Sequence, residues 1–249
     1  MTEPPLPAPE SGRRAQLAAN LAEVRARIDR ACAAAGRDPA EVTLVAVTKT
    51  YPAADVVSLA GLGVTEVGEN RDQEAAPKAA EVAAAGVRVR WHFVGQLQRN
   101  KARSVVRYAD LVHSVDSVRL ARALAEAAGR HRDRPLAALV QVNLDGAPGR
   151  GGALVGGADP DREVAAVAAE VAGRAELRLA GVMTVAPLDW EPERAFARLA
   201  EVAAQVRRAH PGATIVSAGM SGDLEAAIRH GATHVRIGSA LLGKRATLR

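Results

Sequence analysis

Aromatic side chains are scarce in this sequence of 249 residues, which contains only two tryptophans, two tyrosines and two phenylalanines. Proteins that bind single-stranded nucleic acid stack the bases on aromatic side chains, so the chain lacks the usual material for such a surface. Cysteine is scarcer still, because Cys32 is alone. A single cysteine excludes an internal disulfide and a metal site built from several thiolates. We therefore expect neither an RNA-binding module nor a metal site, and the composition favours a reducing cytoplasm.

Long apolar runs are also missing, since no stretch approaches the roughly 20 residues that span a bilayer. Residues 1–11 are rich in proline and carry acids, unlike the basic start and apolar stretch of a signal peptide. We predict a disordered tail over residues 1–12 and one domain over 13–249. The formal charge is +5, but the arginines are interleaved with acids, as in residues 23–30. This pattern favours solvated helix faces over a nucleic-acid surface.

Lysine is rare among the 33 basic residues and occurs only as Lys49, Lys78, Lys101 and Lys244. Lys49 follows an apolar run, residues 43–48, and opens a turn at residues 50–52. A lysine amine can lose its proton and attack a carbonyl, whereas an arginine guanidinium stays protonated. Lys49 is therefore the candidate nucleophile of this chain.

Strand and helix patterns alternate along most of the chain. The predicted strands are residues 43–48, 64–68, 91–94, 111–114, 138–143, 179–185, 214–217 and 233–237. The predicted helices are residues 53–61, 71–85, 98–108, 117–129, 162–173, 192–209 and 223–230, with a short last helix from about residue 239. Eight such repeats in about 250 residues are typical of a (β/α)8 TIM barrel, the α/β fold that we predict.

An additional helix precedes the first strand, because Leu17, Leu21, Val24 and Ile28 recur at helical spacing. The alternative fold is an open doubly wound sheet, which has the same alternation. That fold normally has a glycine-rich turn after its first strand. Residues 48–52 contain no glycine, which favours the barrel.

Polar residues recur where the predicted strands end, as the loops at the C-terminal face of a barrel would require. They include Lys49, Asn70, His92, Asn143 and Arg236. Taken singly, each also fits an ordinary role as a helix cap, a turn residue or a structural side chain. Their joint placement favours a shared cavity.

Two turns of small residues follow the seventh and eighth predicted strands. The first, residues 218–223, contains Met220 and Ser221, and the second contains Gly238 and Ser239. Backbone N–H groups at such turns bind phosphate, and this pair of loops is the common phosphate site of barrel enzymes. The alternative is that the glycines serve tight turns only.

A phosphate site across the barrel mouth from a reactive lysine indicates a ligand with an aldehyde and a phosphate, and pyridoxal 5′-phosphate has both. Arg236 precedes the second turn by two residues and would point towards the pyridine ring. An arginine at the ring nitrogen keeps that nitrogen unprotonated and weakens the cofactor as an electron sink. A structural arginine paired with a carboxylate is the alternative.

The motifs resemble those of the YggS/PROSC family of pyridoxal phosphate homeostasis proteins, whose barrel is similar to the N-terminal domain of alanine racemase. The resemblance extends from about residue 40 to 243. It is carried by residues 44–49, 67–70, 91–101, 113–117, 181–184, 219–228 and 235–243. The loop over residues 144–161 departs from the family pattern, so no role is carried over to it.

The resemblance implies a fold-type III barrel that holds pyridoxal 5′-phosphate as a Schiff base on Lys49. It also implies roles for the other matching positions. The phosphate would be bound by Met220, Ser221, Gly238 and Ser239, the pyridine nitrogen would face Arg236, and Asn70 and Asn143 would line the pocket.

Three functions are compatible with these residues. The first is a non-enzymatic carrier in the cytoplasm that buffers pyridoxal 5′-phosphate and supplies it to apo-enzymes, as a monomer without nucleic-acid or membrane partners. The second is an amino-acid racemase, which needs an acid on the opposite face of the cofactor, and neither Tyr51 nor Tyr108 is obviously placed for that. The third is an aldolase whose lysine attacks a sugar-phosphate ketone.

Overall fold

A computed structural model describes residues 9–243 and shows a closed barrel of eight parallel strands in the order β1 to β8. The barrel closes where β1 pairs with β8, with Val45 opposite Arg236 and Ala46 opposite Ile237. An open doubly wound sheet has no such pairing between its first and last strands, so the predicted (β/α)8 fold is confirmed. Among the described residues, no helix combines the length and apolar character that crossing a membrane requires.

Each strand is followed by a helix at the outer surface, and one helix precedes the barrel. The strands are β1 Thr43–Val47, β2 Glu66–Glu69, β3 Arg90–Phe93, β4 Leu111–Val115, β5 Leu136–Gln141, β6 Leu177–Met183, β7 Ile215–Ser217 and β8 His234–Ile237. The helices are α1 Pro9–Ala34, α2 Ala53–Ala60, α3 Asp72–Ala84, α4 Ala102–Tyr108, α5 Val118–His131, α6 Val164–Ala172, α7 Pro192–Ala209, α8 Leu224–Arg229 and α9 Ser239–Leu242.

Helix α1 is the predicted additional helix, and its apolar stripe packs on the last part of the chain. Leu17, Leu21, Val24 and Ile28 are buried in one cluster with residues of α8 and α9. The helix begins at Pro9, so residues 9–12 are helical, which corrects that end of the predicted tail. Proline suits this position because the first turn of a helix needs no backbone donor from it. Residues 1–8 and 244–249 lie outside the described residues. The prediction of a tail over residues 1–8 and the position of Lys244 therefore lie outside them too.

Several predicted boundaries are shifted by a few residues. Strand β5 ends at Gln141, not at residue 143, so Asn143 belongs to the following loop. Helix α4 begins at Ala102 instead of residue 98, because Arg99–Lys101 form a separate 3-10 turn. Both shifts occur at ends of elements, where local hydrogen bonds and not the apolar pattern decide the boundary.

The barrel interior has an apolar part and a polar part. The apolar part is a cluster of buried side chains from β4, β5 and β6, namely Leu111, Ala137, Leu139, Ala180 and Met183. The polar part comprises Glu66, His92, His113, Ser217 and Arg236, which are all buried. Barrels of this kind are usually filled by branched apolar side chains, so a buried polar set requires an explanation.

Candidate functional site

Lys49 lies two residues beyond the end of β1, at the C-terminal face of the barrel, and its side chain is exposed. Among the described residues, its ammonium group has no hydrogen-bond or ion-pair partner. The next residue, Thr50, has a φ of 66°, in the left-handed region that a β-branched residue rarely adopts. Strained backbone of this kind persists where surrounding structure fixes it, often at binding sites. The turn thus presents an accessible amine.

Lys78 is buried, and its side chain contacts the residue that precedes Lys49 in the sequence. Its Nζ atom donates to Oε1 of Glu69 at 2.6 Å and to the carbonyl oxygen of Thr48 at 2.8 Å. The hydroxyl of Thr48 donates to the same Glu69 oxygen at 2.7 Å. Lys78 is 7% exposed and Glu69 is fully buried. Lys78 is therefore a structural cation, which leaves Lys49 as the available amine of the two.

The two turns predicted to bind phosphate are adjacent in the structure. Ser221 Oγ lies 3.3 Å from Ser239 Oγ and accepts a hydrogen bond from the backbone of Ala240 at 3.3 Å. Gly219 has a φ of 87°, and a Cβ atom there would lie 2.6 Å from that of Ala227, so the close turn requires glycine. The two turns are therefore neighbours, and their binding of phosphate stays a prediction.

Helix α1 supports the first of these turns through Arg27. Its guanidinium donates to the carbonyl oxygen of Ser221 at 3.0 Å and makes two hydrogen bonds with the carboxylate of Glu225, at 2.9 and 3.0 Å. Two parallel hydrogen bonds between a guanidinium and a carboxylate fix the orientation of the two groups as well as the distance between them. The side chain therefore connects α1, the turn and α8.

Replacing Arg27 by methionine will lower the free energy of unfolding by about 1 to 2 kcal/mol, because hydrogen bonds to a charged group are lost at a partly buried position. Urea denaturation followed by far-UV circular dichroism measures the change. Arg25 provides the control, since its contacts to the carbonyl oxygens of Leu62 and Gly63 are long, at 3.5 and 3.3 Å. Equal losses for Arg27→Met and Arg25→Met would contradict a specific supporting role.

Arg236 lies on β8 inside the barrel and is 5% exposed. One guanidinium nitrogen donates to Ser217 Oγ at 2.7 Å and another donates to the carbonyl oxygen of Thr184 at 2.8 Å. Burial lowers the pKa of Arg236 to about 10. The side chain is therefore a buried cation that neutral oxygens hold in place.

The pairing of β1 with β8 brings Lys49 to the same side of the mouth as the two turns. Ala46 is paired with Ile237, and a Cβ atom on Gly238 would lie 3.5 Å from the carbonyl oxygen of Val47. The chain that leads to Lys49 therefore runs beside Gly238. An amine, a buried guanidinium and two turns with hydroxyl groups thus lie in one sector of the barrel mouth.

The two predicted pocket asparagines have different surroundings. Asn70 follows β2 and lines a cavity of about 810 Å³ at the barrel mouth, which also contacts Phe93, Lys101 and Asp116. Its Oδ1 atom is buried and has no hydrogen-bond partner among the described residues. Asn143 instead accepts from the backbone of Gly146 at 2.9 Å and directs its amide nitrogen to carbonyl groups of its own loop. Both roles stay predictions, and of the two asparagines Asn70 is the one that lines the cavity.

The sequence analysis missed a set of polar residues within the strands because it examined only their ends. Glu66, His113 and Ser217 belong to β2, β4 and β7, and they are hydrogen-bonded inside the barrel with His92 and Arg236. Strand periodicity could have identified them, because polar residues at interior positions of buried parallel strands are unusual. This set connects to the site through Arg236.

Known proteins resemble this chain over most of its length. The family model for the N-terminal domain of alanine racemase matches residues 15–246. A protein of Mycobacterium leprae named pyridoxal phosphate homeostasis protein is 44% identical over 246 residues, covering 94% of this chain and 95% of that protein.

Solved structures agree with this relationship. The structure of PipY from Synechococcus elongatus with pyridoxal phosphate bound has a TM-score of 0.74 and 34% identity, covering 91% of this chain and 100% of PipY. Alanine racemase from Corynebacterium glutamicum shares the fold, with a TM-score of 0.66 and 16% identity, and this chain covers 64% of the racemase chain. Sequence identity and coverage together show that the chain belongs to the family of pyridoxal phosphate homeostasis proteins.

Proposed function

We propose that this protein binds pyridoxal 5′-phosphate reversibly, as a Schiff base on Lys49, and buffers or supplies it within the cell. The observation that carries the proposal is the adjacency of the Lys49 turn to the turns of Ser221 and Ser239. The names of its relatives support the same function, because they describe pyridoxal phosphate homeostasis and, for PipY, bound pyridoxal phosphate.

The residues at the barrel mouth fit the chemical groups of the cofactor. Pyridoxal 5′-phosphate supplies an aldehyde that a primary amine captures reversibly, and Lys49 has the accessible amine. Hydroxyl and backbone N–H groups of the two turns, with Met220, Ser221, Gly238 and Ser239, would hold the phosphate. Arg236 would donate a hydrogen bond to the pyridine nitrogen. Asn70 and Asn143 would complete the pocket, and Asn70 Oδ1 is a buried acceptor that has no partner among the described residues.

The tyrosines favour a carrier over a racemase. Racemisation uses acids and bases on both faces of the cofactor, commonly lysine and tyrosine. The sequence has two tyrosines, and the Tyr51 hydroxyl donates to the carbonyl oxygen of Gly243 at 2.7 Å. Tyr108 is partly buried, and burial together with the nearby carboxylates of Asp72 and Glu69 raises its pKa. Neither phenol is a ready proton donor at the cofactor, which supports a carrier over a racemase. We propose that this carrier acts in the cytoplasm as a monomer.

A transfer experiment tests this function. Protein loaded with pyridoxal 5′-phosphate and freed of excess cofactor will have a visible absorption band, and it will restore activity to the apo-form of a pyridoxal phosphate enzyme. The control is free cofactor at the same concentration. A protein that stays colourless after saturation would contradict cofactor binding and favour the aldolase alternative. Interconversion of amino-acid enantiomers by the loaded protein would instead identify a racemase.

A further inference from the structure

Five buried side chains on five strands form one continuous chain of hydrogen bonds through the barrel. Glu66 Oε2 lies 2.5 Å from Nε2 of His92, whose Nδ1 lies 2.8 Å from Nε2 of His113. Nδ1 of His113 lies 2.9 Å from Ser217 Oγ, which accepts from Arg236 at 2.7 Å. Strands β4 and β7 are not neighbours, so the contact of His113 with Ser217 crosses the barrel interior.

The charges at the ends of this chain are opposite. Burial raises the pKa of Glu66, but its hydrogen bond with His92 and the nearby charge of Arg90 act against burial, so the pKa is lowered and the carboxylate is ionised. Arg236 is a cation at neutral pH, with a pKa of about 10. Burial lowers the pKa of His113 well below its ordinary value, and the nearby guanidinium of Arg236 lowers it further. His113 is therefore neutral and carries one ring proton.

Only one arrangement of protons gives every atom of the chain a partner. The ionised Glu66 requires a proton on Nε2 of His92. If His113 carries its proton on Nε2, it donates to Nδ1 of His92, and Ser217 donates to Nδ1 of His113 while accepting from Arg236. If the His113 proton is on Nδ1, Ser217 accepts twice and its own hydroxyl proton has no acceptor in the chain. The first arrangement is fully satisfied and runs from cation to anion.

We propose that Glu66, His92, His113 and Ser217 are positioning residues for the cofactor: they form a polarised hydrogen-bond chain that holds Arg236 as a cationic donor, with its counter-charge at the other end of the chain. This inference rests on the proposed function, in which Arg236 faces the pyridine nitrogen. In a low-dielectric interior, aligned hydrogen bonds strengthen one another. Glu66 therefore compensates a guanidinium that it does not touch.

Three further charged or titratable groups face the chain. Arg90, on β3, lies 3.3 Å from Oε1 of Glu66 at the more exposed end. The ring of His234, on β8, has its centroid 6.1 Å from that of His92, and burial lowers the pKa of His234 to about 4, so this ring is neutral at physiological pH. Asp223 raises the pKa of Arg236, against the larger effect of burial. Arg90 therefore stabilises an ionised Glu66 and Asp223 stabilises a cationic Arg236, the two ends that the chain requires.

The chain has a second state that differs by one proton. A proton added at Nδ1 of His92 would make that ring a cation and displace the proton of His113 from Nε2 to Nδ1. Ser217 would then lose its acceptor on His113, and Arg236 would face a hydroxyl that already accepts a hydrogen bond. Protonation of His92, next to Glu66, would therefore change the hydrogen bonding of Arg236 at the proposed cofactor site.

Nuclear magnetic resonance of the ligand-free protein, with ¹⁵N-labelled histidine, tests the proton arrangement directly. At neutral pH we expect His92 and His113 to be neutral rings protonated on Nε2. Assignment uses the variants His92→Gln and His113→Gln. A cationic His113, or a His113 protonated on Nδ1, would overturn the chain as described. This result does not depend on whether pyridoxal 5′-phosphate binds.

The functional link is tested with Ser217→Ala, which removes the contact between His113 and Arg236. Ser114→Ala is the matched control, because Ser114 is a buried serine beside His113 whose Oγ atom has no partner among the described residues. We expect Ser217→Ala to weaken binding of pyridoxal 5′-phosphate about tenfold, as loss of a hydrogen bond to a charged group predicts. Ser114→Ala will bind as the parent does, and equal affinity of the two variants would overturn the positioning role.

The charge relationship is tested with Glu66→Gln, which retains an acceptor for His92 and removes the negative charge. In the cofactor-loaded protein, we expect the pH midpoint of the visible absorption change to move to lower pH, because the site becomes more positive. An unchanged midpoint would show that Glu66 does not act on the site. If neither the parent protein nor any variant binds the cofactor, the proposed function fails. The ¹⁵N result still decides whether the hydrogen-bond chain exists.

Discussion

Replacement of Lys49 by arginine will abolish covalent capture of pyridoxal 5′-phosphate and leave the fold intact. A guanidinium stays protonated at any pH at which the protein is folded, so it cannot attack the aldehyde. The side chain is exposed and has no partner among the described residues, so stability will stay within about 0.5 kcal/mol of the parent. Borohydride reduction followed by intact-mass measurement detects the captured cofactor, and the labelled fraction will fall from nearly complete to background.

Lys101→Arg is the matched control for this experiment. Lys101 lines the cavity that Asn70 also contacts, and it belongs to the loop after β3 and not to the Lys49 turn. We expect Lys101→Arg to be labelled as the parent is, with the modified peptide containing Lys49. Undiminished labelling of Lys49→Arg would refute Lys49 as the attachment point and direct attention to Lys101 or Lys78.

Replacement of Lys78 by methionine will lower the free energy of unfolding by about 3 to 5 kcal/mol, the usual cost of removing one partner of a buried ion pair. The carboxylate of Glu69 would stay fully buried without its cation, and its Oε2 atom already has no partner among the described residues. Urea denaturation followed by circular dichroism measures the loss. The loss will also displace Thr48, whose carbonyl oxygen accepts from Lys78, and so disturb the turn of Lys49.

Two further variants separate burial from charge. In Lys78→Met with Glu69→Gln the uncompensated charge is gone, so we expect part of the lost stability to return. Arg130→Met removes a pair with Glu126 whose side chains are 71% and 68% exposed, and it will cost at most about 0.5 kcal/mol. A Lys78→Met loss as small as that of Arg130→Met would show that the buried pair contributes little to stability.

The architecture could be predicted because its physical causes are local in sequence. Strands such as β1 are short apolar runs, while α1 has its apolar residues at helical spacing, and the alternation of the two patterns has few solutions. The site sector could also be predicted, since a barrel places every loop after a strand on one face. Lys49, Ser221 and Ser239 follow the first, seventh and eighth predicted strands, so the sequence alone places their loops on this face.

The interior chain could not be predicted in the same way. His92, His113 and Ser217 are brought together by the tilt and register of strands that are far apart in sequence, and no local pattern specifies which interior residues touch. Asn143 illustrates the same limit. Its side-chain oxygen accepts a hydrogen bond from the backbone of its own loop, and the conformation of that loop could not be predicted from the sequence. Residues that act through other residues are therefore harder to identify from sequence than residues that contact a ligand.

The closure of the barrel between β1 and β8 also has a consequence for biosynthesis. The Lys49 turn and α1 are made early, yet their partners, β8 and the turns of Ser221 and Ser239, are made last. Contacts of such sequence separation make folding slow, because the entropy of closing the chain is lost before the contacts form. The edge of β1 that pairs with β8, and the part of the α1 stripe that packs on α8 and α9, stay uncovered until the end of the chain has been made. The sector that holds the Lys49 turn and the turns of Ser221 and Ser239 is therefore assembled only when the last strand joins the barrel.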